Sequence, residues 1–328
     1  MTPISRLVVF GGNGFIGSAI CRSALVHGMQ VTSVSSSGRP YQTPKGHTPA
    51  WVRDVDWQAG DALRPETYAA HLDGAHGVVH TLGVLLEDAG YKRAVREGDV
   101  LGVLRAVVSA GGGRNPLEAR AKETGSGYEA MNRDAALRVC EAFTASAPPA
   151  SSSGGAMERP FVFISAADVF RPWIDARYIE TKRAAERGID ALLAAQGHPA
   201  RFRGVYLRPG LVYHAHQRPL TTPAAALLDL SSTLHARLPD AIRGPLRRAV
   251  AHLPRVSESV PSPAVSIANA LSTPPMHVDQ VGAAAVRACL DAGVRGVVGV
   301  RRMREVIGWR DTDTEADVGE RVEERMSV

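Results

Sequence analysis

Tyr178 and Lys182 stand four residues apart at the start of Tyr178–Gln196, a stretch whose spacing predicts a helix. On a helix, residues i and i+4 share a face, which sets a lysine ammonium beside a phenol. A neighbouring cation favours phenolate and lowers a tyrosine pKa from its usual value of about 10. Ser165 ends the predicted strand Phe161–Ser165 and could hydrogen-bond the same substrate oxygen. Ser165, Tyr178 and Lys182 together would form a proton donor or acceptor for carbonyl–alcohol chemistry. The spacing alone is a weak signal, because Tyr41 and Lys45 repeat it. Pro44 and a loop-like composition argue against a helix face at that second copy. The plainer reading of Tyr178 and Lys182 is an exposed surface pair. Their place after a strand-terminal serine weighs against it.

A second set of residues could hold phosphate. Leu7–Phe10 is a short apolar, β-branched run that reads as a buried strand. Gly11-Gly12-Asn13-Gly14-Phe15-Ile16-Gly17 follows, and Ser18–Leu25 then takes helical spacing. Strand, glycine turn and helix in that order form a dinucleotide-binding context. Gly11 permits the turn, Gly14 lets a pyrophosphate approach, and Gly17 lets helix pack on strand. Phe15 and Ile16 would offer backbone N–H groups at the positive end of the helix. The plainer alternative is a glycine-rich βα turn without a ligand.

Further contacts follow from the strand ends. The second strand, Met29–Val34, leads into Ser35-Ser36-Ser37-Gly38-Arg39, with no carboxylate to bind ribose hydroxyls. Ser35 and Ser36 can donate to a 2′-phosphate and Arg39 can pair with it, which favours NADP (NADPH) over NAD. If Arg39 is instead solvated, either cofactor fits. Asp61 ends the third strand, Val55–Asp61, and with Ala62 after it would border the adenine, although a simple turn aspartate reads nearly as well. Leu82 and Gly83 end the fourth, Gly77–Gly83, where backbone would pass close to the cofactor. His80 reads as a packed histidine rather than an acid–base group. Pro209 and Gly210 follow the strand Arg203–Leu207. Tyr178 and Lys182 would also contact the cofactor, Lys182 at the nicotinamide ribose.

The elements that must carry these groups predict an α/β fold, a Rossmann-type doubly wound parallel sheet with a small, mainly helical C-terminal substrate cap. The dinucleotide domain spans 1–213, with 276–292 returning to it. Residues 214–275 form the cap, and 293–328 a partly disordered extension that is charged after Trp309. Arg64–Leu72 reads as a short helix, Tyr128–Ala145 as a long one and Val281–Ala292 as the last. Asn132 interrupts the apolar face of the long helix and could order a water. Residues 84–126 are irregular and read as a lid or a loop. Ser146–Glu158 is a Pro/Ser/Gly-rich loop. Leu220–Leu253 is apolar and arginine-bearing. It reads as cap helices, with a surface resting on an acidic membrane as the alternative.

The totals narrow the classes. The 328 residues are 45% hydrophobic and 22% charged, ordinary globular values. The net charge is +5, and all but four of the 38 basic residues are arginine. Aromatics make up only 5%, and no basic cluster is interleaved with them, so nucleic acid is not an expected partner. Cys21, Cys140 and Cys289 lack metal or CxxC spacing and read as buried thiols. No apolar run reaches membrane-spanning length. The first strand begins by about residue 5, which leaves no room for a conventional cleavable presequence.

Gly11/Gly14/Gly17, Gly60-Asp61, Val79-His80-Thr81-Leu82-Gly83, Ser165, Tyr178/Lys182, Arg208-Pro209-Gly210 and His277-Val278-Asp279 resemble the short-chain dehydrogenase/reductase superfamily in its extended or atypical branch. The stretches VVFGGNGFIGSAICRSAL, VVHTLGVLLED, GRNPL, FISA, YIETKRAAE and LRPG are similar to fungal mitochondrial proteins of this type in coenzyme Q biosynthesis. Those proteins are relatives of the nucleotide-binding accessory subunit of respiratory complex I. The resemblance implies a matrix location at the inner membrane and association with the coenzyme Q biosynthetic assembly. It implies no defined reaction. The complex I relatives hold NADPH as a structural cofactor, whereas this chain keeps Ser165, Tyr178 and Lys182. Ser36 stands where NADP-preferring relatives often carry arginine. Two roles follow: a non-catalytic assembly factor, or an NADP-dependent reductase, dehydrogenase or dehydratase acting on a hydrophobic, quinone-like or polyprenylated substrate. A nucleotide-sugar epimerase fits less well, because residues 214–275 lack an evident polar sugar-phosphate site.

Overall fold

The computed structural model describes residues 5–83, 127, 129–149, 158–169, 171, 174–196, 201–217, 221–237 and 263–309. Seven parallel strands form the main sheet: β1 (Arg6–Phe10), β2 (Gln30–Ser35), β3 (Val55–Ala59), β4 (Gly77–His80), β5 (Arg159–Ile164), β6 (Phe202–Arg208) and, late in the chain, Gly296–Gly299. The order across the sheet is β3-β2-β1-β4-β5-β6, with Gly296–Gly299 outermost beside β6. Leu7 pairs with Val31 on one side and with Gly77 on the other. Strand order therefore reverses between β1 and β4, where a doubly wound sheet opens a crevice at its carboxyl edge.

The central strands are apolar at consecutive positions because both faces are covered. Side chains alternate, so Leu7 and Val9 join one core while Val8 and Phe10 join the other. The first core is closed by α1 (Phe15–Val26) and by a late helix, Val278–Leu290, through Ile20, Ala24, Val281 and Ala285. The second is closed by α2 (Ala135–Ala145) and α3 (Ala176–Ala194), through Val139, Phe143, Ala185 and Ile189. Asp175 caps α3 by accepting from the Arg177 N–H at 2.9 Å, which fixes Tyr178 in the first turn.

After β6 the chain forms β7 (Val212–Tyr213), then α4 (Thr221–Arg237) and α5 (Pro263–Ser272). It returns through β8 (Met276–His277), which pairs with β7, to α6 (Val278–Leu290). The outermost strand of the main sheet is β9 (Gly296–Gly299), and α7 (Val300–Val306) follows it. Leu228 of α4 and Ala270 of α5 pack with Val169 and Ile174. Arg203 of β6 donates to Ala288 O (2.7 Å), Val294 O (2.9 Å) and Cys289 O (2.9 Å), tying β6 to the end of α6 and the approach to β9.

Three expectations are corrected. Residues 293–309, assigned from sequence to an extension, supply a sheet strand and a helix, because Val294, Val298, Val300 and Met303 belong to the core under α6. The helix expected over Tyr128–Ala145 is two pieces. A π-helical turn at Glu129–Asp134 precedes α2, and the wider turn carries Asn132 into a buried position. Arg64–Leu72 forms two 3-10 turns, Pro65–Thr67 and Ala69–Leu72, rather than one helix. Tyr128, the expected lid 84–126, most of the loop after Pro149 and the segments 238–262 and 310–328 lie outside the described residues. Among the described residues no helix is long and apolar enough to cross a membrane.

Candidate functional site

At the carboxyl edge of the sheet lies a cleft of about 500 Å³. The glycine turn forms one end. Gly11 has φ +84°, its N–H donates to Val34 O (2.8 Å), and its carbonyl accepts from the Gly14 N–H (2.9 Å). A Cβ at Gly17 would strike the Gly11 carbonyl, so only glycine allows α1 to start this close to β1. Gly14 caps α1 without a side-chain acceptor, and Phe15, Ile16 and Gly17 of the first turn line the cleft.

Ser35, Ser36, Asp61 and Ala62 line the same cleft, as do Leu82, Gly83, Pro209 and Gly210. Ser35 is buried and its hydroxyl meets no partner. A buried hydroxyl without a partner at the end of β2 fits a ligand that supplies one, and no carboxylate at this strand end opposes an anion. Arg39 departs from expectation. It is exposed and does not line the cleft, and its backbone is held by Ser37 and Asn13. Asp61 accepts from the Leu63 N–H at 3.2 Å, so it does form a turn as well as lining the cleft.

The other end holds Tyr178, Lys182 and Ser165. Lys182 is fully buried, and its Nζ donates to Leu82 O (3.2 Å) and Ile164 O (3.0 Å). It also sits 4.5 Å from the centre of the Phe163 ring. Burial lowers its pKa to about 7, with Glu186 opposing and Arg183 adding to the shift. The ammonium expected beside the phenol is therefore only partly charged at neutral pH. Gly83 passes so close that a Cβ there would come within 2.8 Å of both Lys182 Nζ and Asn132 Oδ1. Asn132 Nδ2 lies 3.5 Å from Thr181 Oγ1. His80 is packed between Phe10 and Phe163, and burial followed by the Lys182 charge pushes its pKa down to about 3. It is a core histidine.

Ser165 differs most from expectation. Its hydroxyl donates to Glu186 Oε1 (2.5 Å) and accepts from Arg183 (3.0 Å). Glu186 is buried, and Arg208 clasps both of its oxygens. A hydroxyl has one proton, and this one is committed to a carboxylate. Glu186, Arg183 and the Arg208 side chain were not anticipated as parts of the site. The signal was present: Glu186 falls one further helical turn beyond Lys182 on the face that Tyr178 defines. Above these groups, Val169, Ile174 and Leu211 give the cleft an apolar wall.

Fold and cleft define a nucleotide-binding protein of the short-chain dehydrogenase/reductase type. Residues 7–116 match the NAD dependent epimerase/dehydratase family. The chain is 34% identical over 216 residues to MIOREX complex component 2 of Saccharomyces cerevisiae, covering 65% of this chain and 75% of the yeast protein. It is 41% identical over 98 residues to an uncharacterised chloroplastic protein of Arabidopsis thaliana, covering 30% and 31% of the two chains. The structure of MoeE5 with UDP-glucuronic acid and NAD aligns over 90% of this chain and 76% of that one, at 18% identity and a TM-score of 0.49. The chain belongs to the NAD-dependent epimerase/dehydratase family. That membership supports a nicotinamide dinucleotide as the ligand of the cleft.

Proposed function

We propose that the chain binds NADP(H) in preference to NAD(H) in this cleft and serves mitochondrial coenzyme Q biosynthesis as an accessory or assembly protein on the matrix side of the inner membrane. One observation carries the reading: the cleft keeps a glycine turn and an unpartnered Ser35 hydroxyl suited to a dinucleotide, while the serine expected to act on substrate is engaged elsewhere. The glycine turn, the unpartnered Ser35 hydroxyl and Gly83 shape the cofactor end. The Ser165 hydroxyl donates its proton in a hydrogen bond to Glu186. Likeness to a yeast protein named as a complex component supports an assembly role, as does the resemblance of the motifs to fungal proteins of coenzyme Q biosynthesis. A ligand that binds only the native state orders and stabilises the fold by mass action.

The alternative is an NADP-dependent oxidoreductase acting on a hydrophobic substrate. It is favoured by Tyr178 and Lys182 sharing the cleft with the apolar wall of Val169, Ile174 and Leu211. A bound nicotinamide would supply or accept hydride. In that role Tyr178 would move a proton at the substrate oxygen, Lys182 would tune the phenol, and Ser165 would have to leave Glu186 to contact substrate.

The test is titration of the purified protein with NADPH and NADH, read by nucleotide fluorescence and thermal unfolding. NADPH at a hundred times its Kd is expected to stabilise the fold by about 2.7 kcal/mol, with NADH well behind. Binding of neither nucleotide would overturn the cofactor reading. Tyr178→Phe then separates the two roles. Full function in cells from that variant supports the accessory role, and lost function at unchanged protein level and cofactor binding supports the enzyme.

A further inference from the structure

A second cavity, of about 390 Å³, shares no lining residue with the dinucleotide cleft. Helix α1 lines both, presenting Phe15, Ile16 and Gly17 to the cleft and Ser18, Ala19 and Arg22 to the second cavity. The loop leaving the ribose end of the cleft supplies Tyr41 and Lys45, the other copy of the Tyr-x-x-x-Lys spacing. This size and a largely apolar lining are those of a small-molecule site.

The floor is aromatic. Tyr41 is only 6% exposed and stacks on Trp51, with ring centroids 5.6 Å apart and planes at 24°. Its hydroxyl is buried without a hydrogen bond of good geometry, Ser18 being the polar group beside it. The mouth carries Lys45, Arg22 and His214. Lys45 is exposed there, and Arg22 is paired with the one lining carboxylate, Asp279. His214 accepts at Nδ1 from the His216 and Gln217 backbone N–H groups (3.1 and 3.2 Å), so its neutral ring carries the proton on Nε2 as a donor. Asp279 is engaged by Arg22, so an incoming anion meets the Lys45 ammonium and the His214 Nε2–H.

We propose that this cavity is a binding site for a small aromatic anion, whose ring lies against the Tyr41–Trp51 pair and whose carboxylate or phosphate is held at the mouth by Lys45 and His214. The ring gains stacking and apolar burial, and the anion gains charge-assisted hydrogen bonds.

The test is titration of the full chain with 2-naphthoate, by calorimetry and by NMR of the Trp51 indole N–H, assigned through Trp51→Phe. Saturable binding that shifts the Trp51 signal is expected. Lys45→Gln should weaken it by about fivefold, the scale of one exposed ion pair. Asp279→Asn should tighten it by a similar factor, because Arg22 is released to the ligand. The neutral 2-naphthamide should bind at least about fivefold more weakly than the acid. An unmoved Trp51 signal, equal binding of acid and amide, or affinity unchanged in both charge variants would each overturn the proposal.

Discussion

Tyr-x-x-x-Lys occurs at 41–45 and again at 178–182, and the two copies are inside out relative to each other. At 178–182 the lysine is buried and the tyrosine half-buried at the cleft. At 41–45 the tyrosine is buried and the lysine exposed. Identical spacing thus yields a desolvated amine in one place and a desolvated phenol in the other. A capped helix start sets the first pair on one face, whereas Pro44 prevents a helix at the second. Burial and neighbours, not spacing, decide what each pair can do.

The largest break in this comparison should come from Tyr41→Ala. Removing a buried aromatic floor is expected to cost about 3 kcal/mol in urea unfolding, against about 1 kcal/mol for Tyr178→Ala at a half-buried position. A milder variant, Lys182→Ala, leaves Leu82 O and Ile164 O without their donor. It should cost about 1–3 kcal/mol at pH 8, while Lys45→Ala on the surface should stay within about 0.5 kcal/mol. Equal losses from the two lysine variants would erase the contrast.

The pH dependence sharpens it further. Lys182 has a folded pKa of about 7, well below the roughly 10.4 of an unfolded lysine. Between those values the unfolded chain holds one more proton, so this residue makes stability rise with pH from about 7 towards 10. Lys182→Met should flatten the rise in chemical denaturation measured across that range. The smallest effect concerns the histidine beneath this lysine. The depressed pKa of His80 means that the unfolded chain gains a proton first as pH falls below about 6.5, and stability is lost from there down towards the folded value. Neither ring nitrogen of His80 has a partner. His80→Leu should therefore be neutral or stabilising by up to about 1 kcal/mol at pH 7, and should lose less stability than the parent between pH 6 and 4.

The main sheet was legible in the sequence because its inner strands are buried on both faces and write themselves as unbroken apolar runs, such as Leu7–Phe10 and Phe161–Ile164. The glycine turn was legible because sterics leave glycine no substitute at Gly17. β9 was not, since Gly-Val-Val-Gly is four residues long and lies in a charged neighbourhood. The π-helical turn was also hidden, because one widened turn changes the face of Asn132 without changing the composition. Spacing puts Glu186 on the face of Tyr178 and Lys182, but its helix is crowded with charged residues, so spacing alone does not mark it as buried. Only the fold brings Arg183, Arg208 and Ser165 around it. The direction of the Ser165 hydroxyl belongs to that network and could not be read from its position at a strand end.

Late delivery of β9 also bears on biosynthesis. A nascent chain that has passed β6 owns six of the seven sheet strands but leaves the outer edge of β6 unpaired. That edge stays open while α4, α5 and everything up to Gly299 are made. Until then the Arg203 guanidinium has Glu158 (3.2 Å) as its partner from earlier in the chain, since its three carbonyl acceptors belong to residues 288–294. An open parallel edge is a template for another strand, so between synthesis of residues 208 and 299 the growing chain exposes at β6 an edge that can pair with neighbouring chains on a polysome.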